Sequence, residues 1–170
     1  MRRDTETGTE AHYVQYVSAR LPALHRAAYL LCGGDAHRAD DVVQATITKL
    51  YRYWRRVCRS DNIDAYVHRM LVHALVDEKR HPWARVRLFA APDDRTGAEP
   101  HVQVDERNSL VTALRELPPR QRAVLVMRFL LDRPIDEVAE TLNCSVGTVK
   151  SQSSRGLDAL RDMFSRIEEH

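Results

Sequence analysis

The chain has 170 residues, 44% of them hydrophobic and 29% charged, with a formal net charge of +2. That length allows one ordinary domain or two small ones, and the composition excludes a disordered tail. No stretch approaches the ~20 apolar residues of a membrane span, and MRRDTETGTEAH at the start lacks the apolar core of a signal peptide; the expectation is a soluble, cytoplasmic protein with no membrane partner.

The first predicted element is a helix carrying Tyr13, Val17, Leu21, Leu24, Ala28 and Leu31 on one stripe. Pro22 interrupts it and predicts a kink or a new start. Gly33-Gly34-Asp35 stops it. A second helix, about Ala36 to Val57, places Val43, Ile47, Leu50, Trp54 and Val57 at steps of four and three, with Leu50, Tyr51 and Trp54 as its packing bulk. A third runs from about Ile63 to Arg80. Its apolar face is Ile63, Tyr66, Val67, Met70, Leu71, Ala74 and Leu75, and the opposite face holds Arg69, His73, Lys79 and Arg80. From Lys49 to Arg87 ten bases stand against four acids, a patch suited either to a polyanion or to plain solvation.

The composition then shifts. Phe89 to Ser109 has two prolines, one glycine and five acids with little periodicity, which reads as a flexible acidic linker. SLVTALRELPPRQRAVLVMRFLLDRP follows as two helices split by Pro118-Pro119, the second apolar nearly all round and hence central. Ile135 to Leu142 is a short helix, Asn143 and Cys144 a tight turn, and Ser145 the cap of a final helix. Val146, Val149, Ser153, Leu157 and Leu160 form the inward face of that helix. Thr148, Ser151, Gln152 and Arg155 form the outward one, with no acid before Asp158. Helix, short turn and helix with an outward stripe of small polar groups is the layout of a helix-turn-helix, whose second helix enters the major groove. No strand signal competes, so the fold class is all-α, as two small helical domains joined by a linker.

Cys32, Cys58 and Cys144 are isolated and odd in number, which argues against a disulfide framework or a zinc site and fits a reducing compartment. His68 and His73 have no Cys or carboxylate at ligand spacing. Neither a nucleophile–base pair nor a glycine-rich phosphate loop is present. No metal, no cofactor and no enzymatic activity is expected.

ADDVVQATITKLYRYW (Ala39 to Trp54) resembles the region 2 helix of sigma factors, and LRELPPRQRAVLVMRFLLDRPIDEVAETLNCSVGTVKSQSSRGLDAL resembles region 4. Together they resemble a group 4, extracytoplasmic-function (ECF) sigma factor of the sigma-70 family, and GTVKSQSSRGL is similar to the actinobacterial SigE-like subgroup. The resemblance covers almost the whole chain beyond the first ten or so residues. It implies region 2 over 10–88, a linker over 89–108 and region 4 over 109–167. The partners it implies are core RNA polymerase, through the β′ clamp coiled coil and β flap, promoter DNA and an anti-sigma factor.

Residue by residue, the resemblance implies that Asp40, Asp41 and Gln44 dock on the β′ clamp, with Ala45 standing where the family usually has an acid. The loop Val57–Asn62, with Arg59, Ser60, Asp61 and Asn62, matches the loop that captures a flipped base of the −10 element. Arg69, His73, Lys79 and Arg80 of the third helix complete that side, His73 replacing the family's usual Asn. Ser145, Thr148, Lys150, Ser151, Gln152, Ser154 and Arg155 would meet the −35 duplex, and the linker would thread toward the polymerase active site. The rival reading is a LuxR-type helix-turn-helix activator, which carries an α/β domain upstream where this chain reads as helical and basic.

Overall fold

The computed structural model describes the backbone of residues 2–80 and 106–168, with side chains over 8–77 and 109–166. The described residues contain seven α-helices and no strand: α1 (Arg2–Leu31), α2 (Ala36–Val57), α3 (Ile63–Arg80), α4 (Glu106–Glu116), α5 (Pro119–Leu125), α6 (Ile135–Thr141) and α7 (Val146–Glu168). Residues 89–105 of the expected linker lie outside the described residues. Residues 106–108, which the expected linker included, belong to α4, which starts at Glu106.

The first module is α1, α2 and α3. Of the two outcomes expected at Pro22 the new start does not occur: α1 continues as one helix from Arg2 to Leu31 with the proline inside it. The carbonyl that Pro22 cannot bond belongs to Ser18, an exposed residue whose backbone water can reach. Two left-handed glycines then end the helix, Gly33 at φ 66° and Gly34 at φ 87°, and the Gly34 N–H donates back to the Tyr29 carbonyl at 2.8 Å. Asp35 caps α2 at once, its carboxylate accepting from the Arg38 N–H at 3.0 Å.

Leu24, Ala28, Leu31, Val43, Leu50, Trp54, Val57, Val67 and Leu71 fill the space between the three helices, the larger of them contributing about 1.5–3 kcal/mol each by leaving water. Trp54 is the centre of an aromatic nest. His12, Tyr13 and Tyr16 stand around it at centroid distances of 5.2, 5.6 and 5.3 Å. Tyr16 also donates to Asp64 at 2.6 Å, tying α1 to α3. Burial raises the Tyr16 phenol, and the Asp64 carboxylate beside it adds to the rise. Tyr51, expected as packing bulk, is 56% exposed and touches only the edge of this nest, its ring 5.1 Å from that of Tyr13.

The second module is α4 to α7. Its interior is Leu114, Leu117, Val124, Leu125, Val126, Met127, Val138, Ala139 and Val149. The expectation of a helix buried all round holds as far as Met127. There α5 passes into a single π turn, Val126–Leu130, closed by Leu131 N–H on the Val126 carbonyl at 2.9 Å. The wider turn swings Phe129 and Leu130 outward, leaving them about half exposed.

The modules share one continuous apolar cluster. Arg122, on α5, is buried in the seam. Its Nε donates to the Leu31 carbonyl at the end of α1 at 3.0 Å, and one terminal nitrogen reaches the Leu114 and Arg115 carbonyls of α4, each at 3.3 Å. These carbonyls lie in the last turns of α1 and α4, where intrahelical donors run out; Leu114 also accepts from the Leu117 N–H at 3.3 Å, and one guanidinium thus closes two helices of different modules. The Gly33-Gly34 turn lies against the same place. A Cβ on Gly33 would sit 2.7 Å from that Arg122 nitrogen, and one on Gly34 would sit 2.6 Å from Val111 Cγ1. Glycine is required here by approach as well as by φ.

Candidate nucleic-acid interface

The helix-turn-helix is built locally. Asn143 takes the left-handed conformation, at φ 50°, and the Cys144 N–H bonds the Ala139 carbonyl at 2.9 Å, closing α6. Arg120 of α5 donates to the Leu142 carbonyl at 3.1 Å and so holds the turn from below. Ser145 caps α7 as expected, its Oγ accepting from the Thr148 N–H at 3.0 Å.

The inward face of α7 differs from the expected one. Val149, Ser153 and Gly156 are buried and Leu160 is half-buried, whereas Val146 and Leu157 are each 38% exposed. The reason is Gly156, where an added Cβ would lie 2.9 Å from Leu125 Cδ1. Backbone rather than a side chain meets α5 there, which turns Leu157 toward the rim. A mid-helix glycine that costs about 1 kcal/mol relative to alanine was the available signal.

On the outward side Lys150, Ser151, Ser154 and Arg155 are exposed, and Gln152 is half-buried. Part of the stripe is engaged within the helix. Ser145 and Thr148 hydroxyls lie 2.9 Å apart, and Ser151 Oγ donates to the Thr148 carbonyl at 3.1 Å. The long side chains Lys150, Gln152 and Arg155 are therefore the ones with reach toward base edges or phosphates.

In the loop after α2, two of the four expected contacts also have local work. Ser60 Oγ donates to the Val57 carbonyl at 2.7 Å, and Asn62 Oδ1 accepts from the Ala65 N–H at 3.0 Å as the cap of α3. Arg59 and Asp61 are exposed beside them. Sequence reasoning missed the neighbouring cluster. Arg56 donates to the Tyr66 hydroxyl at 2.7 Å and lies 5.8 Å from the centroid of the exposed Tyr53 ring, an arginine–aromatic pair of the kind that stacks bases.

On the α3 face expected to meet the −10 strand, Arg69 and His73 are both engaged by the second module. Arg69 pairs with both carboxylate oxygens of Glu140, at 3.2 and 3.4 Å, and His73 Nε2 lies 3.0 Å from the Thr141 carbonyl. Both partners belong to α6 of the other module. A groove of about 490 Å³ continues this seam, lined by Lys49, Val72, His73, Arg120 and Leu142 among others. The side chains of Lys79 and Arg80 lie outside the described residues. Asp40, Asp41 and Gln44 share the exposed face of α2, with Val42 and Val43 buried behind them; Asp40 is 3.2 Å from His25 Nδ1.

Among the described residues no group of three or more His, Cys, Asp or Glu could hold a metal ion, and no helix is long and apolar enough to cross a membrane. Cys32 is buried, and Cys58 and Cys144 are half-buried free thiols.

Comparison with known proteins matches residues 16–85 to the Sigma-70 region 2 family and residues 107–160 to the Sigma-70, region 4 family. The chain is 31% identical over 160 residues to the RNA polymerase sigma-E factor of Streptomyces coelicolor, covering 91% of this chain and 87% of that one. It is 32% identical over 165 residues to the sigma-E factor of Streptomyces avermitilis, covering 91% and 86%. Among solved structures, the sigma factor RpoE in complex with the anti-sigma factor NepR from Bartonella quintana superposes with a TM-score of 0.73 at 22% identity, over 91% of this chain and 97% of that one. CnrH in complex with the cytosolic domain of CnrY gives 0.61 at 20%, over 96% and 94%. A LuxR-type activator is not favoured, because the upstream half matches sigma region 2 instead of an α/β domain. The order of the two matched regions, and relatives aligned along nine-tenths of the chain, establish that it belongs to the extracytoplasmic-function sigma factors of the sigma-70 family, with SigE-like relatives.

Proposed function

We propose that this chain binds core RNA polymerase through the Asp40, Asp41 and Gln44 face of α2, and brings it to promoters by reading two DNA elements. Lys150, Gln152 and Arg155 of α7, with the hydroxyls of Ser145, Thr148, Ser151 and Ser154 around them, meet the −35 duplex. Arg59 and Asp61 of the α2–α3 loop, with Ser60 and Asn62 shaping it, meet an unstacked −10 base, and Arg69, His73, Lys79 and Arg80 support that strand. The observation that carries the reading is the capped helix-turn-helix with a basic and amide-bearing outer face, placed downstream of a region 2 module.

Opening a promoter on this reading needs no chemistry from the chain. A rigid helical module traps bases that have left the stack, which lowers the cost of melting, and polymerase supplies catalysis. The place of action is the cytoplasm, where the polymerase is. One solved relative is a complex with an anti-sigma factor, and a regulator of that kind is the third partner we assign. The test is in vitro transcription with purified core polymerase on the organism's genomic fragments, followed by mapping of the start sites. Specific starts that depend on the chain and share two upstream elements support the reading; none above core polymerase alone refutes it.

A further inference from the structure

We propose that the packing of α6 against α3 is a self-masking state of the free chain, in which the Glu140 carboxylate occupies the Arg69 guanidinium that promoter phosphate would otherwise take. The inference rests on the assignment of Arg69 and His73 to the −10 side. Carboxylate and phosphate oxygens are equivalent acceptors for a guanidinium fork, and Arg69 is 3.2 and 3.4 Å from the two oxygens of Glu140. One turn further along the same face of α3, the His73 ring nitrogen is taken by the Thr141 carbonyl at 3.0 Å. Two −10 contacts are thus covered by two consecutive residues at the end of α6, the short helix that leads into the −35 reader. A DNA phosphate seeking the same two-pronged contact with the Arg69 fork competes with Glu140 for it.

Two different kinds of contact make up the seam. Arg122 and the Gly33-Gly34 turn hold it from the buried side. The Arg69–Glu140 pair is partly exposed, at 36% and 67% of the two side chains, so it is weak and screened by salt. A pair of that sort exchanges readily for a polyanion once another surface draws the modules apart.

The experiment uses the full chain, small-angle X-ray scattering without polymerase, and a fluorescent single-stranded oligonucleotide spanning the −10 element mapped in the transcription assay. Wild type is expected to scatter as a compact particle and to bind the oligonucleotide weakly. Glu140→Arg sets two arginines face to face, and should expand the particle and tighten DNA binding by about two- to fivefold. Arg69→Glu with Glu140→Arg should return to the compact form without recovering DNA binding. Gly34→Asn, which tolerates the left-handed turn but thrusts a Cβ at Val111, should open the seam by a route remote from DNA, and Val111→Ala in the same chain should close it again. Glu140→Arg alters an exposed side chain and decides the matter even if Gly34→Asn does not fold. An extended wild type overturns the proposal, as does expansion of the variants with no gain in DNA binding, or no change in either. If wild type directs no transcription, the functional reading fails first and the masking inference falls with it; if transcription is normal and the variants behave as wild type, only the masking fails.

Discussion

Arg122 and Leu31 stand 91 positions apart in sequence and are joined by a 3.0 Å hydrogen bond from Nε to carbonyl oxygen. The same guanidinium serves two carbonyls of α4. Burial pushes it below the usual arginine range, with Arg38 nearby adding to the fall, yet its ordinary value is so high that it stays charged. Arg122→Met keeps the volume and removes every donor. The loss of these bonds should destabilise the chain by about 1–3 kcal/mol, read by urea denaturation of the full chain. Arg122→Lys should fail to restore stability, because a single ammonium cannot span acceptors at the ends of two helices.

A second prediction concerns the packing of α7. Gly156→Val drives a branched side chain into Leu125, whose Cδ1 lies 2.9 Å from the position of the new Cβ. The expected loss is about 1–3 kcal/mol, measured by thermal melting. Adding Leu125→Ala should recover part of it, and additive losses would show that the two positions do not press on each other.

The extent of α2 was legible in the sequence because every boundary signal is local: Gly33-Gly34 before it, Asp35 as its cap, and Arg55 and Arg56 at its end. The outward face of α7 was legible in part for the same reason, since helical spacing alone groups Thr148, Ser151, Gln152 and Arg155, of which Ser151 and Arg155 are exposed and Thr148 and Gln152 half-buried. The seam was not. Val72 interrupts no pattern on α3, yet it is fully buried at the edge of the groove that α5 and α6 complete. Arg122 reads as an ordinary surface base until α1 is brought beside it. The π turn after Leu125 leaves no mark in apolar periodicity, so Phe129 and Leu130 read as buried. Ser60 and Asn62 are implied as DNA contacts by the resemblance alone, and their local bonds were not legible because a serine or asparagine in a loop looks alike whether it caps a helix or meets a ligand.

His68 gives a prediction in pH. Its ring is lowered from the usual histidine range chiefly by burial. Arg133 of the second module and Arg20 of α1 push the same way, and Asp64 of α3 opposes them. Nδ1 is buried with no hydrogen-bond partner. Above the unfolded value of about 6.5 the ring is neutral in both states and nothing is lost. As pH falls below it the unfolded chain takes up the proton first, so stability declines until pH passes the folded value. Melting curves between about pH 7.5 and 5.5 should show this decline, and His68→Gln should show less of it. Parallel curves for the two chains would exclude His68 as the source.

On the −35 side the roles of neighbouring residues separate by salt. Gln152→Ala should cost about 1–3 kcal/mol at one base position and relax preference there alone. Lys150→Ala should weaken all sequences alike and lower the salt slope by about one. Binding of the full chain with core polymerase to single-base −35 variants, at several salt concentrations, distinguishes them. If neither change alters affinity or preference, that face of α7 does not read DNA.

Polymerase docking is tested on α2. Asp41 and Gln44 are exposed opposite buried Val43 and Leu50, so changing both to Arg leaves the packing face intact. Helical circular dichroism should be unchanged while binding to core polymerase is lost, as read by co-purification. Retained affinity in the double variant would move the docking surface elsewhere on the chain.

The bond between Arg122 and Leu31 also sets an order of events during synthesis. At about 5–20 residues per second, the 91 positions between them take the ribosome roughly 5–18 s, and the α1 carbonyl waits that long for its donor. During that interval the nascent first module has α1, α2 and α3 but neither Arg122 over its Gly33-Gly34 turn nor Glu140 on Arg69. The α3 face that bears Arg69 and His73 is then uncovered, and Glu140 and Thr141 close over it only when the last third of the protein is being made.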